Sequence, residues 1–383
     1  MTILEAPIHP GAEATHAAIK RIEAIAVSLP LTKPMKMAGV LISSADNVLV
    51  KVELDSGHTG WGEAASAHAM TGETVESMMA AVRYMQPALT GLAAANVSQV
   101  SARMDRLMYG NQSAKSAVEM ALHDALGKAA GKAVCELLGG QLRARIPVLW
   151  LLGTGSTEGD IEEARTKRAA GFVAYKIKVG VDHPLIDAAR TRRICDVLGK
   201  GHLKCADANQ GYSVAQAIAY VKAVANSALD FFEQPVAAHD LAGMTQVAAA
   251  TPIPIGFDEG LHSVDDLVRH HEARAAHGAS LKTIKLGGMR GVCQAAELCQ
   301  SLGMKVNLAC KVAESGIAAA AMLHLAAAVP ALEWGLSITN QYLADDLVRT
   351  PLAIIDGHAD VPNGPGLGVE VDEARVRRYQ RAI

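Results

Sequence analysis

The sequence predicts an α/β chain built as a (β/α)8-type barrel with an α+β N-terminal capping domain. Three observations predict it. Residues 19–138 read as strands followed by helices in separate runs, the order expected of a small α+β layer. After residue 143, short apolar segments alternate with amphipathic ones eight times, at a spacing of roughly 22 to 29 residues, the length of a βα unit. Five of those eight segments end in a charged residue.

The cap is assigned residues 1–140, of which 1–18 are Pro/Gly-punctuated and expected to be a loose tail. IEAIAVSLPL and NVLVKVELDSGHTGWGEA show β-branched alternation around a turn at Asp55, Ser56 and Gly57. Helical periodicity covers 73–89 and 113–138. In the second stretch Val118, Leu122, Ala125 and Leu126 share one face, and Gly139 and Gly140 form a stop. The barrel is assigned 141–350, with strands at 147–152, 174–179, 203–207, 229–233, 255–258, 283–286, 305–308 and 331–335. A doubly wound open sheet is the alternative for such alternation, but no GxGxxG follows a first strand. The rhythm stops near residue 351, and 351–383 are expected to return to the cap.

The bulk properties exclude several classes. Half of the 383 residues are hydrophobic, 20% are charged and the net charge is −3, so nothing draws the chain toward nucleic acid or an anionic membrane. Met1 to Ala18 lack a basic stretch followed by an apolar core, so no secretory signal is expected. The Ala-rich stretch 317–332 is interrupted by His324 and Pro330 and is short for a membrane span. Cys135, Cys195, Cys205, Cys293, Cys299 and Cys310 show no CxxC spacing, which predicts free thiols and a cytoplasmic location. A homo-oligomer is expected.

The charged strand ends carry the chemistry. Strand two ends AYKIKVG, and a period of two points Lys176 and Lys178 the same way, into the barrel mouth. Strand three ends CADANQ (Asp207, Asn209), strand four FFEQP (Glu233), strand five GFDEG (Asp258) and strand six TIKLGG (Lys285). Taken singly, each acid has a plain reading as a helix cap or surface group, and each lysine as half of an ion pair. Together they face one cavity, because successive barrel strands end at the same rim. Three neighbouring carboxylates cannot all stay ionised without partners. Three oxygen ligands on consecutive strands suit an octahedral Mg²⁺ with positions left for substrate.

The set KxK, DxN, EQP, DE and IKL, in this order, resembles the enolase superfamily. Within it the chain is similar to the muconate lactonizing enzyme subgroup of the mandelate racemase/muconate lactonizing enzyme family. The likeness runs from about Ile19 to the end. It includes LPLTKPMKMAG, GWGEA, SAKSAVEMALHDALGK with ELLGG after it, LACKVAESG and GPGLGV.

The resemblance implies a metal that binds a small carboxylate substrate, a lysine that takes the α-proton, and an enediolate intermediate. By position, Asp207, Glu233 and Asp258 would be the metal ligands, and Lys178 and Lys285 the acid/bases on the two faces. Mg²⁺ is the implied ion, with Mn²⁺ its alternative. Lys176 would lower the pKa of Lys178, since a lysine at about 10.4 is a poor base at neutral pH and a second cation disfavours its ammonium.

The substrate-binding candidates are Asn209, Glu314, Trp150 and Lys36. Glu314, in KVAESG, aligns with a glutamate near the carboxylate-binding end, with a helix cap as its plain reading. Trp150 is expected at the cavity mouth. Lys33 and Lys36, with Met35 and Met37, fall in a cap loop that the family folds over the site; a solvated loop face is the alternative. The histidines of SVDDLVRHHEARAAHG are read as surface residues.

The implied reaction is muconate-type cycloisomerisation. Racemisation or epimerisation of an amino-acid derivative, or dehydration, on the same scaffold is the alternative. EWGLSITNQYLADDLV departs from the TELFGP-like stretch common in the cycloisomerases, and it lacks the spaced aspartates of dipeptide epimerases. The residues alone also leave open a Schiff-base lyase using a barrel lysine.

Overall fold

The structure is a computed structural model. It describes residues 17–37 and 40–383, with the side chains of 36, 37, 40 and 41 outside the description. The cap begins as a three-stranded antiparallel sheet, Ile19–Met37, Val40–Leu54 and Thr59–Ala65, ordered as in the chain. Its alternation sorts the two faces. Val48, Val50, Val52 and Leu54 join the cap's own core, whereas Leu49, Val27, Leu29 and Trp61 pack into the core shared with the barrel. The sheet lies directly on the helix Gln112–Ala130, because a Cβ at Gly60 or Gly62 would come within 2.1 or 2.0 Å of the carbonyls of Ala121 and Ala117. That close approach is the reason for the glycines of TGWGEA.

Three cap expectations change. The helix read as 113–138 breaks at Gly131, in the left-handed region (φ 65), and resumes only as the turn Val134–Leu137. An additional helix, Val97–Leu107, starts from the Asn96 side chain and buries Val97, Val100 and Met104. The stretch around Lys33 and Lys36 is a hairpin arm, since Met35 pairs with Ile42 and Lys36 with Leu41.

The barrel has eight parallel strands. These are one (Leu149–Leu152), two (Ala174–Lys178), three (Leu203–Asp207), four (Phe231–Glu233), five (Ile255–Phe257), six (Gly278–Leu281), seven (Lys305–Ala309) and eight (Leu336–Ser337). Neighbours pair in sequence order, and a parallel bridge between Val148 and Leu336 closes the ring.

Two strands differ from expectation. Residues 283–286 form a single helical turn, Thr283–Leu286, ended by Gly287 with φ 74. Strand six precedes it. Gly278–Leu281 pair with strand seven and Gly278 and Ala279 with strand five, and the TIKL alternation only imitates a strand. Residues 331–335 also precede their strand. Trp334 drops into the barrel floor, where it stacks on Phe231 with ring centroids 4.0 Å apart, and Gly256 and Gly278 leave room for it.

The floor is finished by a small antiparallel sheet of Arg145–Pro147, His358–Asp360 and Ile354–Ile355. The chain then runs to the cap, where Leu367 donates its N–H to Asp124 (2.8 Å) and Arg381 donates its own to the carbonyl of Ala26 (2.8 Å). His270 is another departure: it is buried, and its ring stacks on Phe257.

Buried acids fasten the cap to the barrel. Glu63, on the third cap strand, accepts from the N–H of Ser315 (2.9 Å), the N–H of Ala318 (3.2 Å) and the Ser315 hydroxyl (2.6 Å) at the start of the helix Gly316–Ala328. Glu119 accepts from the N–H groups of Met289 (2.7 Å) and Arg290 (3.0 Å), which open the helix Met289–Ser301. Each carboxylate satisfies amides that have no partner within their own helix, at its positive end.

Candidate active site

The strand register brings the predicted residues to one level of the barrel mouth. Lys178 pairs with Asp207, Asp207 with Glu233, and Glu233 with Gly256, two residues before Asp258. Directly opposed residues in a sheet share a face, so the side chains enter the same space. There a cavity of about 140 Å³ is lined by Lys176, Lys178, Asp207, Asn209, Asp258 and Lys282, among others.

Ammonium groups meet each carboxylate. Lys176 donates to Glu233 at 2.6 Å and lies 3.7 Å from Asp207, and Lys178 donates to Asp207 at 2.6 Å and to the Asn209 side-chain carbonyl at 2.5 Å. Burial works against the charges of Lys176 and Asp207, but their partners outweigh it. Lys176 is held well above the usual lysine range by Glu233 and Asp207. The Asp207 carboxyl is held below the ordinary carboxylate range by Lys178 and Lys176.

The lysine on the opposite wall differs from expectation. Along strand six, Gly278 and Ser280 point inward, where Ser280 bonds Asn307 at 3.0 Å. Lys282 continues that alternation and lines the cavity, bonded to one oxygen of Asp258. Lys285 comes from the helical turn and is fully buried beneath the acid. It donates to the other Asp258 oxygen at 2.5 Å and to the carbonyl of Ser280 at 2.9 Å, and it does not line the cavity. Burial, with Lys282 adding to it, pulls Lys285 down to about 8 against the pull of Asp258. Lys282 therefore takes the place in the cavity that the sequence reading gave to Lys285. A signal for it was present: the spacing of about 22 residues before strand seven is the shortest in the barrel.

Known proteins match this architecture along nearly all of the chain. Residues 160–375 match the enolase C-terminal domain-like model, and residues 21–139 match the N-terminal domain of mandelate racemase/muconate lactonizing enzyme. The chain belongs to the mandelate racemase/muconate lactonizing enzyme family. It is 31% identical to muconate cycloisomerase 1 of Rhodococcus opacus over 376 residues, covering 96% of this chain and 100% of that one. A crystal structure of muconate lactonizing enzyme from Pseudomonas fluorescens, complexed with muconolactone, superposes with a TM-score of 0.91 at 31% identity, covering 95% of this chain and 100% of the other. N-succinyl Arg/Lys racemase from Bacillus cereus superposes at 0.90 with 27% identity, covering 95% and 98%. The protein is an isomerase of the enolase superfamily, whose members in this family are metal-dependent.

The donor set fits such a metal. Among the described residues no three His, Cys, Asp or Glu side chains stand close enough together to hold an ion as they are; the acids are turned onto lysines. Yet Asp207, Glu233 and Asp258 are hard oxygen donors on consecutive strand ends, and Glu233 Oε1 is buried without a hydrogen-bond partner. Carboxylate oxygens of this kind are the donors that a small oxygen-preferring cation takes.

The remaining candidates separate. Asn209 lines the cavity and bridges Lys178 to Glu259, donating to the latter at 3.0 Å. Glu314 is buried outside the cavity lining and accepts from the N–H of Lys311 at 3.0 Å. Trp150 does not reach the mouth. Leu149 and Leu151 face inward, so Trp150 points out, against Phe172 and under the ammonium of Lys167. The side chain of Lys36 lies outside the described residues, although Ile42 from the same hairpin arm does line the cavity.

The sequence reading missed His68, Met70, Glu259, Lys311 and Tyr342, which line the cavity from loops and, for Tyr342, from the short 3-10 turn Asn340–Tyr342, none with a periodic signal. The six cysteines are free. Among the described residues no helix is long and apolar enough to cross a membrane.

Proposed function

We propose that the protein catalyses a muconate-type cycloisomerisation, with Mg²⁺ held by Asp207, Glu233 and Asp258 and protons handled by Lys178 and Lys282. The observation that carries this is the placement of those two lysines at the mouth ends of strands two and six, on opposite walls of one cavity with the strands that carry the three acids between them. Likeness over the full length to muconate and chloromuconate cycloisomerases supports it. Mn²⁺ suits the same oxygen set. A bound divalent ion supplies a Lewis acid that fixes one substrate carboxylate and offsets the charge that develops on it.

The chain's own residues do the remainder. One carboxylate oxygen of muconate adds to the double bond conjugated with the other carboxylate, forming the ring C–O bond. The displaced electron pair moves toward that second carboxylate, and its α-carbon takes a proton from the lysine on that face. The lysine regains its proton from solvent. Lys176 holds Glu233 and Asp207 in place, and the apolar wall of Leu149, Leu151 and Ile338 limits water around the reacting carbons.

Incubating the purified protein with muconate and Mg²⁺ tests the proposal. Loss of diene absorbance with appearance of the lactone by NMR, carrying one deuterium at the α-carbon in D₂O, is the expected result. Absence of lactone, together with α-deuterium exchange into N-succinyl-lysine of both configurations, would favour a second reading. That reading is racemisation of an N-acylamino acid, supported by the same pair of lysines and by the likeness to N-succinyl Arg/Lys racemase.

A further inference from the structure

Among the described residues four lysines line the cavity, and three of them are paired: Lys176 with Glu233, Lys178 with Asp207 and Lys282 with Asp258. Lys311 is the fourth. It follows strand seven, its side chain is half-buried, and among the described residues its ammonium has neither a hydrogen bond nor an ion pair. Much of the neighbouring wall is apolar, contributed by Val312, Ile338, Leu149 and Leu151. Burial strips the Lys311 ammonium of hydration, Glu314 and Asp46 offset that loss only in part and without a direct contact, and an incoming anion recovers more of it.

The backbone of Lys311 is fixed on both sides. Its N–H is held by Glu314 (3.0 Å), and its carbonyl accepts from the Thr339 hydroxyl (2.9 Å). Two residues on, Ala313 sits in the left-handed region at φ 74, with its carbonyl held by the Asn47 side chain of the cap (2.9 Å). The lysine is thus set on a rigid turn.

Its position relative to the other groups follows from the ring. Strands three to five carry the acids, and strands two and six carry Lys178 and Lys282. Strands seven and eight form the wall across from strands three and four. A substrate whose first carboxylate lies at the acids, with its α-carbon between the two lysines, extends toward Lys311.

We propose that Lys311 is a specificity-determining residue that receives the carboxylate of a dicarboxylate substrate lying away from the acids, the one whose oxygen closes the ring. The inference rests on the proposed position of the first carboxylate. It adds a consequence: lactonisation consumes the charge that Lys311 holds, so the product is held less tightly than the substrate.

Titration calorimetry of the Mg²⁺-loaded protein with adipate and glutarate, each against its monomethyl ester, tests this without turnover. The wild type should bind a diacid more tightly than its monoester by about 10- to 100-fold, the range of one charge-assisted contact. Lys311→Met should remove most of that preference, and Lys311→Arg should keep it, at unchanged melting temperature. A wild type without preference, or a Lys311→Met variant that keeps it, overturns the proposal. Because the readout is binding, failure to convert muconate would count against the proposed reaction and leave this result standing.

Discussion

The protein buries two sets of carboxylates and treats them differently. At the seam between cap and barrel, Glu63 and Glu119 accept from backbone N–H groups at helix starts. At the barrel mouth, Glu233, Asp207 and Asp258 accept from lysine side chains. Backbone amides do not titrate, and they clamp the seam acids, joined there by the Asn47 side chain at Glu63 and the His123 ring at Glu119. Lysine ammoniums can rotate away, give up a proton or yield to a metal ion. The same residue type, equally buried, becomes a joint in one place and reactive machinery in the other, according to whether its donors are fixed.

The largest test of this contrast is removal of the mouth acids. Asp207→Asn, Glu233→Gln or Asp258→Asn should abolish detectable turnover, and chelation should do the same to the wild type, with Mg²⁺ or Mn²⁺ restoring it. Full activity in excess chelator would end the metal-based account.

Next come the two lysines of the sixth unit. Lys282→Ala should lower kcat by about 10² to 10⁴, the range for loss of a general acid or base, and should also cost stability through its own buried contact with Asp258. In D₂O it should still exchange the α-proton on the face of Lys178. Lys285→Ala should instead cost about 3–5 kcal/mol of stability, because it leaves Asp258 with one of its two buried partners missing. If the effects came out reversed, Lys285 would have to be returned to the proton-transfer role.

At the seam, Glu63→Ala should destabilise by about 1–3 kcal/mol through unsatisfied helix-start amides, measured by urea unfolding. The folded fraction should keep its KM within about twofold, a bound set by taking coupling to the site at ≲ 0.4 kcal/mol.

The smallest effect is in Glu314, whose carboxyl is pushed up to about 8 from the usual 4.5 by burial and by Glu63. Its folded form keeps a proton that the unfolded chain has already lost, so stability falls as pH rises from about 4.5 to about 8. Glu314→Gln should remove that slope. Its melting temperature relative to wild type should climb between pH 5 and pH 8.5, and an equal difference at both pH values would show that the carboxyl does not titrate in this window.

Sequence by itself determined the barrel, the cap and most of the mouth. Period-two alternation in AYKIK and the repeat of apolar segments are local patterns, and local patterns survive without knowledge of neighbours. They placed Lys176, Lys178, Asp207, Asn209, Glu233 and Asp258 together, and the structure brings these residues together.

What failed was register and direction. ASLK and TIKL both alternate, and only pairing of Gly278–Leu281 with strand seven, and of its first two residues with strand five, decides which is the strand, hence that Lys282 lines the cavity and Lys285 lies beneath it. One residue of register turns a side chain through the wall, and the same rule sends Trp150 outward beside the inward Leu149 and Leu151. Glu63 and Glu119 carry no signal of their role, because the amides they hold lie 252 and 170 residues away in the chain. Contacts of that range are set by how two packed layers meet, and only the tertiary structure decides them.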